Sequence, residues 1–176
     1  PEQARTFAAA LADRRGGGAA AIEYIEEPLV AAEAAALPAL HRESGLRYAL
    51  DEGLLQLSDA EVDGLLDDDG CAALVLKPSL VGGVEAAARL SARAAARGKP
   101  AVLTAAFESG VAHAHLALAA AAFGGASVAH GLSTHERLAE DALEPPFAEL
   151  FADGDLVDVG RAQAALDATA DRLNAT

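Results

Sequence analysis

An α/β fold with a parallel sheet is what this 176-residue sequence predicts, and three observations predict it. Short apolar runs recur along the chain. Each is closed by a charged residue, a glycine or a proline. About ten or more residues of helical pattern separate one run from the next. Strands buried on both faces read as continuous apolar runs, and parallel neighbours need a long crossover between them.

The elements follow in order. Gln3 to Arg14 reads as a helix with Phe7, Ala8, Leu11 and Ala12 on one side, ended by a turn at Gly16-Gly17-Gly18. Ala21 to Ile25 is the first strand, stopped by Glu26-Glu27-Pro28, and alanine-rich Leu29 to Leu40 is helix-like. Leu46 to Leu50 is the second strand, stopped by Asp51-Glu52-Gly53. Ser58 to Leu66 is a short helix, with Ser58 and Glu61 at the spacing of a capping box. Ala72 to Leu76 is the third strand, stopped by Lys77-Pro78, and Gly83 to Arg97 is a helix ended by Gly98. Pro100 to Thr104 is the fourth strand, Ser109 to Phe123 a helix, Ser127 to His130 a short fifth strand, and Ala162 to Leu173 the last helix.

Composition narrows the function classes. The net charge of −14 repels phosphate backbones and anionic lipid surfaces, so neither nucleic acid nor a membrane is an expected partner. No apolar stretch is long enough to span a bilayer. Cys71 is the only cysteine, which excludes a disulfide framework within the chain and fits a reducing compartment such as the cytoplasm. There is no methionine, so the chain is expected to be processed or to be a piece of something longer.

Periodicity fits both a doubly wound sheet and a (β/α) barrel; the charges at the strand ends favour the barrel. Glu26, Asp51 and Lys77 close three successive strands at intervals of 25 and 26 residues. In a barrel such residues converge on the C-terminal mouth, where chemistry is done. Two neighbouring carboxylates repel unless a cation lies between them, and hard oxygen ligands suit Mg²⁺, with Mn²⁺ as a substitute. A lysine on the next strand can stabilise an anionic intermediate in the same cavity.

Five segments carry a family resemblance: Ile25-Glu26-Glu27-Pro28, Leu50-Asp51-Glu52-Gly53, Leu76-Lys77-Pro78-Ser79-Leu80-Val81-Gly82-Gly83, Thr104-Ala105-Ala106-Phe107-Glu108-Ser109-Gly110, and His130-Gly131-Leu132-Ser133-Thr134. In this order they resemble the enolase superfamily, and within it the o-succinylbenzoate synthase family. The resemblance implies the C-terminal part, about strands four to eight, of an enolase-type (β/α)7β barrel in residues 1–145, with a C-terminal extension and terminal helix in 146–176. It implies that Glu26 and Asp51 are magnesium ligands and that Lys77 stabilises an enediolate. It also implies that Gly82, Gly83, Ser109, Gly110, Gly131 and Thr134 line the substrate. Ser109 and Gly110 would offer helix N-terminal N–H groups to a carboxylate.

The reaction so implied is Mg²⁺-dependent dehydration of a cyclohexadiene carboxylate to 2-succinylbenzoate in menaquinone or phylloquinone synthesis. The expected partner is a small-molecule carboxylate substrate, and the location the cytoplasm, or the plastid in an alga or plant. A muconate-type cycloisomerase, a dipeptide epimerase and a non-catalytic remnant domain are the other readings.

The departures matter too. The family's Lys-x-Lys base pair is absent from this sequence, and its Asp-x-Asn metal ligand would fall just upstream of Pro1. Ala105 and Ala106 stand where the family often has serines. A barrel of about 250 residues is longer by about three β/α units. The chain is therefore expected to lack the N-terminal capping domain and first strands, to belong to a longer polypeptide, and to turn over little or no substrate alone. The remaining candidates read as structural: His113 and His115 face different ways on a helix, His130 is a satisfied structural histidine, Glu27 supports its neighbours, and Asp67-Asp68-Asp69-Gly70 is a solvated turn.

Overall fold

The computed structural model describes residues 1–14, 22–124, 128–137, 139–151 and 156–175. The expected turn at Gly16-Gly17-Gly18, Ala21 and Ser127 lie outside them. The chain divides into two compact units, one of Pro1–Leu76 with Arg89–Ala101, the other of Lys77–Ala88 with Val102–Thr176.

The first unit opens with α1 (Glu2–Arg14), close to the expected helix. Ala8 is buried, but Phe7 is 52% exposed and does not share its face. The strand β1 (Ile25–Glu26) is shorter than the apolar run and includes Glu26. Its pairing begins where Ile25 N–H donates to Arg47 O and ends where Glu27 N–H donates to Ala49 O.

The alanine run departs from expectation. Ala31–Ala36 is a 3₁₀ helix, and the α-helix α2 (Leu37–Ser44) starts only after it. Pro38 accounts for the break. In one continuous α-helix its ring would collide with the Ala34 carbonyl, so the α-helix resets with Pro38 in its first turn. Gly45 (φ 68°) closes α2, donating its N–H to His41 O.

β2 (Tyr48–Leu50) and β3 (Cys71–Leu76) are buried throughout and lie parallel, and the strand order is β1-β2-β3-β4, with β4 (Ala101–Leu103) entering this unit at Ala101. Leu74 N–H donates to Pro100 O at that entry. Tyr48 faces Cys71 but Ala49 faces Ala73, so Ala72 is an extra residue in β3. The 3₁₀ segment Glu52–Gln56, not foreseen in the sequence, follows β2. α3 (Asp59–Leu66) carries the expected capping box: Ser58 N–H donates to Glu61 Oε2 at 2.8 Å, and Ser58 Oγ accepts from Glu61 N–H. It buries Val62, Leu65 and Leu66.

The expected helix over Gly83–Arg97 is present as α5 (Val84–Ala95), and a short helix not foreseen in the sequence, α4 (Pro78–Val81), precedes it, the two joined by Gly82 and Gly83 at φ near 100°. α5 passes from the second unit to the first, where Arg93 pairs with Asp59 and Asp63, and Arg97 with Asp63 and Asp67.

The second unit packs α6 (Gly110–Phe123) against α7 (Val159–Asn174). Ala114 and Ala117 of α6 meet Ala162, Ala165 and Leu166 of α7 around Leu143, Phe147 and Leu150. Small residues on both helices let the backbones approach closely. The expected fifth strand is reduced, among the described residues, to one parallel bridge of Thr104 with Gly131. Gly131 N–H donates to Leu103 O and Gly131 O accepts from Ala105 N–H, so the ladder lies just after His130 rather than before it. Tight space explains the residue type: a Cβ on Gly131 would collide with the Thr104 side chain.

Candidate active site

In the first unit the sheet register sets the two candidate metal ligands. Glu26 is the last residue of β1, exposed, and pairs with Ala49. Asp51 follows β2 two positions after Ala49 and is half-buried. Paired residues of parallel strands share a face, and so do residues two apart, so the register assigns Glu26 and Asp51 to one face. Glu27 holds this arrangement. Its Oε1 accepts from Asp51 N–H at 2.7 Å and from Gly53 N–H at 3.1 Å, so its carboxylate braces the turn that carries Asp51. Glu27 adopts φ 45°, a conformation costing a non-glycine residue about 1 kcal/mol or more. Gly53 leaves room for the brace, since a Cβ there would lie 2.7 Å from Glu27 Oε2. Two hard carboxylates fit Mg²⁺ in donor type. Among the described residues there is no group of three or more metal-capable side chains, so the pair would leave the remaining positions to water or other ligands.

In the second unit Lys77 directly follows β3 and is half-buried. It is extended, and its carbonyl accepts from Leu80 and Val81 N–H, while buried Pro78 starts α4. Gly82 and Gly83 are both exposed, and their positive φ is the immediate reason for glycine at each. Ser79 Oγ donates to Glu108 Oε1, tying the segment after Lys77 to the segment before α6, while Glu108 Oε2 is buried with no hydrogen-bond partner.

Ser109 sits at the N-cap position of α6 without a side-chain capping bond. The next N–H is already taken: Gly110 donates to Asp141 Oδ1 at 2.9 Å. Asp141 also accepts from Leu143 N–H at 3.0 Å and Phe147 N–H at 2.9 Å. Burial pushes the Asp141 carboxyl up, but the three N–H donors outweigh it and hold the group below its ordinary range. A Cβ on Gly110 would collide with this carboxylate.

Thr134 begins inside the 3₁₀ turn Ser133–Arg137 and its Oγ1 lies 3.0 Å from Nε2 of His113. His113 is wholly buried, whereas His115 is exposed, as their helical spacing requires. His130 Nδ1 accepts from Leu103 N–H at 3.1 Å, a structural bond.

The sequence reading did not assign Asp141 or Glu108 a role. No local signal marks Asp141, because the helix start that it caps lies 31 residues earlier in the chain.

Over residues 1–156 the chain matches the family described as Enolase C-terminal domain-like. It is 36% identical over 138 residues to Protein PHYLLO, chloroplastic, of Arabidopsis thaliana, covering 69% of this chain and 8% of that protein. Among solved structures, MenC from Desulfotalea psychrophila LSv54 is 28% identical with a TM-score of 0.66, covering 80% of this chain and 38% of that one. A dipeptide epimerase from Methylococcus capsulatus, solved with Mg and the dipeptide L-Arg-D-Lys, is 30% identical with a TM-score of 0.57, covering 68% and 33%. The chain belongs to the enolase superfamily, whose members are enzymes. Its fold matches the C-terminal part of the enolase-type barrel. The likeness to PHYLLO and MenC agrees with the o-succinylbenzoate synthase-like character of its motifs. No helix among the described residues is long and apolar enough to cross a membrane.

Proposed function

We propose that this chain supplies the C-terminal site residues of an o-succinylbenzoate synthase, which dehydrates 2-succinyl-6-hydroxy-2,4-cyclohexadiene-1-carboxylate to 2-succinylbenzoate. The observation that carries the reading is the collinear set of five motifs at β/α spacing, and the likeness to MenC and PHYLLO supports it. In this reading residues 1–145 are the partial barrel domain and 146–176 an extension, working within a longer polypeptide, in the plastid of a photosynthetic eukaryote or in the cytoplasm otherwise.

Glu26 and Asp51 hold Mg²⁺, with Glu27 fixing the turn that presents Asp51. When bound, the metal supplies positive charge against the anion that forms as the proton leaves the carbon next to the carboxylate. Lys77 adds a second cation near the ring, stabilising the enediolate. Gly82, Gly83, Ser109, Gly110, Gly131 and Thr134 contribute the wall around the substrate. Proton removal is assigned to no residue of this chain.

Two measurements test this. The polypeptide carrying this chain is assayed for dehydration with Mg²⁺, wild type against Lys77→Ala; the expected loss is about 10²–10⁴-fold, and a loss within a few-fold overturns the role of Lys77. Calorimetry of Mg²⁺ binding to the 176-residue chain, with Glu26→Gln and Asp51→Asn, tests the metal pair. Equal heats in all three remove it. The likeness to a dipeptide epimerase favours a second reading, so the assay includes dipeptide epimerisation. Epimerisation without dehydration replaces the first reading with the second.

A further inference from the structure

His113 is wholly buried in α6 and both of its ring nitrogens are bonded: Nδ1 lies 3.1 Å from Ser109 O, and Nε2 lies 3.0 Å from Thr134 Oγ1. A carbonyl oxygen cannot donate, so Nδ1 carries the proton. The neutral ring then has its lone pair on Nε2, and the Thr134 hydroxyl donates to it. Among the described residues the ring's hydrogen-bond partners are Ser109 O and Thr134 Oγ1; the Asp141 carboxylate is near enough to His113 to interact with it electrostatically but takes its hydrogen bonds from Gly110, Leu143 and Phe147 N–H. The ring is held from the side as well, 5.1 Å from Phe147 and 5.8 Å from His135, centroid to centroid.

A hydroxyl whose only proton points at His113 has nothing but lone pairs left for a ligand. The geometry points to His113 as a positioning residue that makes Thr134 a pure hydrogen-bond acceptor, so that this part of the site selects a donor such as a ring hydroxyl over a bare carboxylate. The inference rests on the proposed place of Thr134 in the substrate wall. The start of α6 agrees with it independently: Gly110 N–H is already held by Asp141, and Glu108 contributes a buried oxygen that lacks a donor. Two carboxylates at one helix start disfavour a third and favour a donor-bearing group.

The test uses the 176-residue chain with ¹⁵N-labelled histidine and long-range ¹H–¹⁵N correlation at neutral pH. His113 is expected as the Nδ1–H tautomer, with Nε2 hydrogen-bonded. Thr134→Val shifts the Nε2 signal and Thr134→Ser restores it, the amide spectrum showing that both variants fold. A proton on Nε2, or a signal that ignores Thr134→Val in a folded chain, overturns the inference. Two probes test selectivity, 3-hydroxybenzoate and isophthalate, which place a hydroxyl or a carboxylate at the same ring position. The hydroxyl probe is expected to bind about tenfold tighter, the worth of one good hydrogen bond, and Thr134→Val abolishes the difference. Isophthalate binding equally well, or neither probe shifting Thr134, overturns it. The tautomer does not depend on which reaction the enzyme performs, so failure of the dehydration assay leaves this result readable.

Discussion

Replacing Asp141 by alanine tests the second unit where its backbone is most dependent on one side chain. The carboxylate accepts from the N–H groups of Gly110, Leu143 and Phe147, and Gly110 and Phe147 are buried. A hydrogen bond to a charged acceptor contributes about 1.5–3 kcal/mol, and bonds sharing one carboxylate are not additive, so the combined loss is about 4 kcal/mol. That is a large share of the roughly 5–15 kcal/mol by which a domain is stable. Asp141→Asn keeps one acceptor oxygen and turns an NH₂ toward a backbone donor, and its expected loss is about half. The assay is urea unfolding followed by circular dichroism at pH 7. With a slope near 2 kcal/mol per molar urea, Asp141→Ala lowers the midpoint by about 2 M. A shift below about 0.5 M refutes the reasoning. The sign with pH follows from the lowered carboxyl. Its folded-state pKa lies below the unfolded value of about 3.9. The stabilisation is fully present above that unfolded value and is lost as pH falls through the folded one, so the gap between wild type and Asp141→Asn closes in strong acid.

Glu27→Ala removes the acceptor for Asp51 and Gly53 N–H and is expected to cost about 2 kcal/mol. Glu27→Gln keeps an acceptor oxygen and costs about half as much or less in the same urea titration; equal losses refute the brace. Ser58→Ala breaks the capping box of α3 and is expected to cost about 1 kcal/mol, seen as a lowered thermal midpoint. Burial pushes the Cys71 thiol up to about 11, so a thiol reagent at pH 8 is expected to leave the native chain unlabelled and to label it at once in urea. Fast labelling without denaturant refutes the burial of β3.

The sequence made the order and type of the elements legible wherever one local signal controlled them. The capping residues Ser58 and Glu61 marked α3, Gly98 marked a helix end, and the apolar run at Ala72–Leu76 marked the central strand. What it could not show depends on partners distant in sequence. The first strand is cut to Ile25–Glu26 because only there does β2 offer bonding groups. The fifth strand shrinks to a bridge at Gly131 because Leu103 and Ala105 set the pairing. Local composition misled at Leu29–Leu40, where alanine suggests helix but Pro38 divides the run. The positions of Glu26, Asp51 and Lys77 at strand ends were readable, because the charged stop after each apolar run is a local feature. Asp141 was not, because a carboxylate that caps a helix 31 residues earlier leaves no mark in its own neighbourhood.

The extra residue in β3 gives that strand something like a reading frame. Tyr48 meets Cys71 and Ala49 meets Ala73, so the sides of β3 before and after Ala72 are matched to β2 with opposite parity. Exchanging Ala72 for another small residue alters only packing at one point. Deleting it would leave Ala73 opposite Ala49 and Leu74 opposite Leu50, each on its present face, and would remove only the bulge with its local bend and twist. Alternation counted straight through β3 from Cys71 would therefore put Ala73 and the residues after it, the strand end included, on the wrong side of the sheet; the count restarts at Ala73.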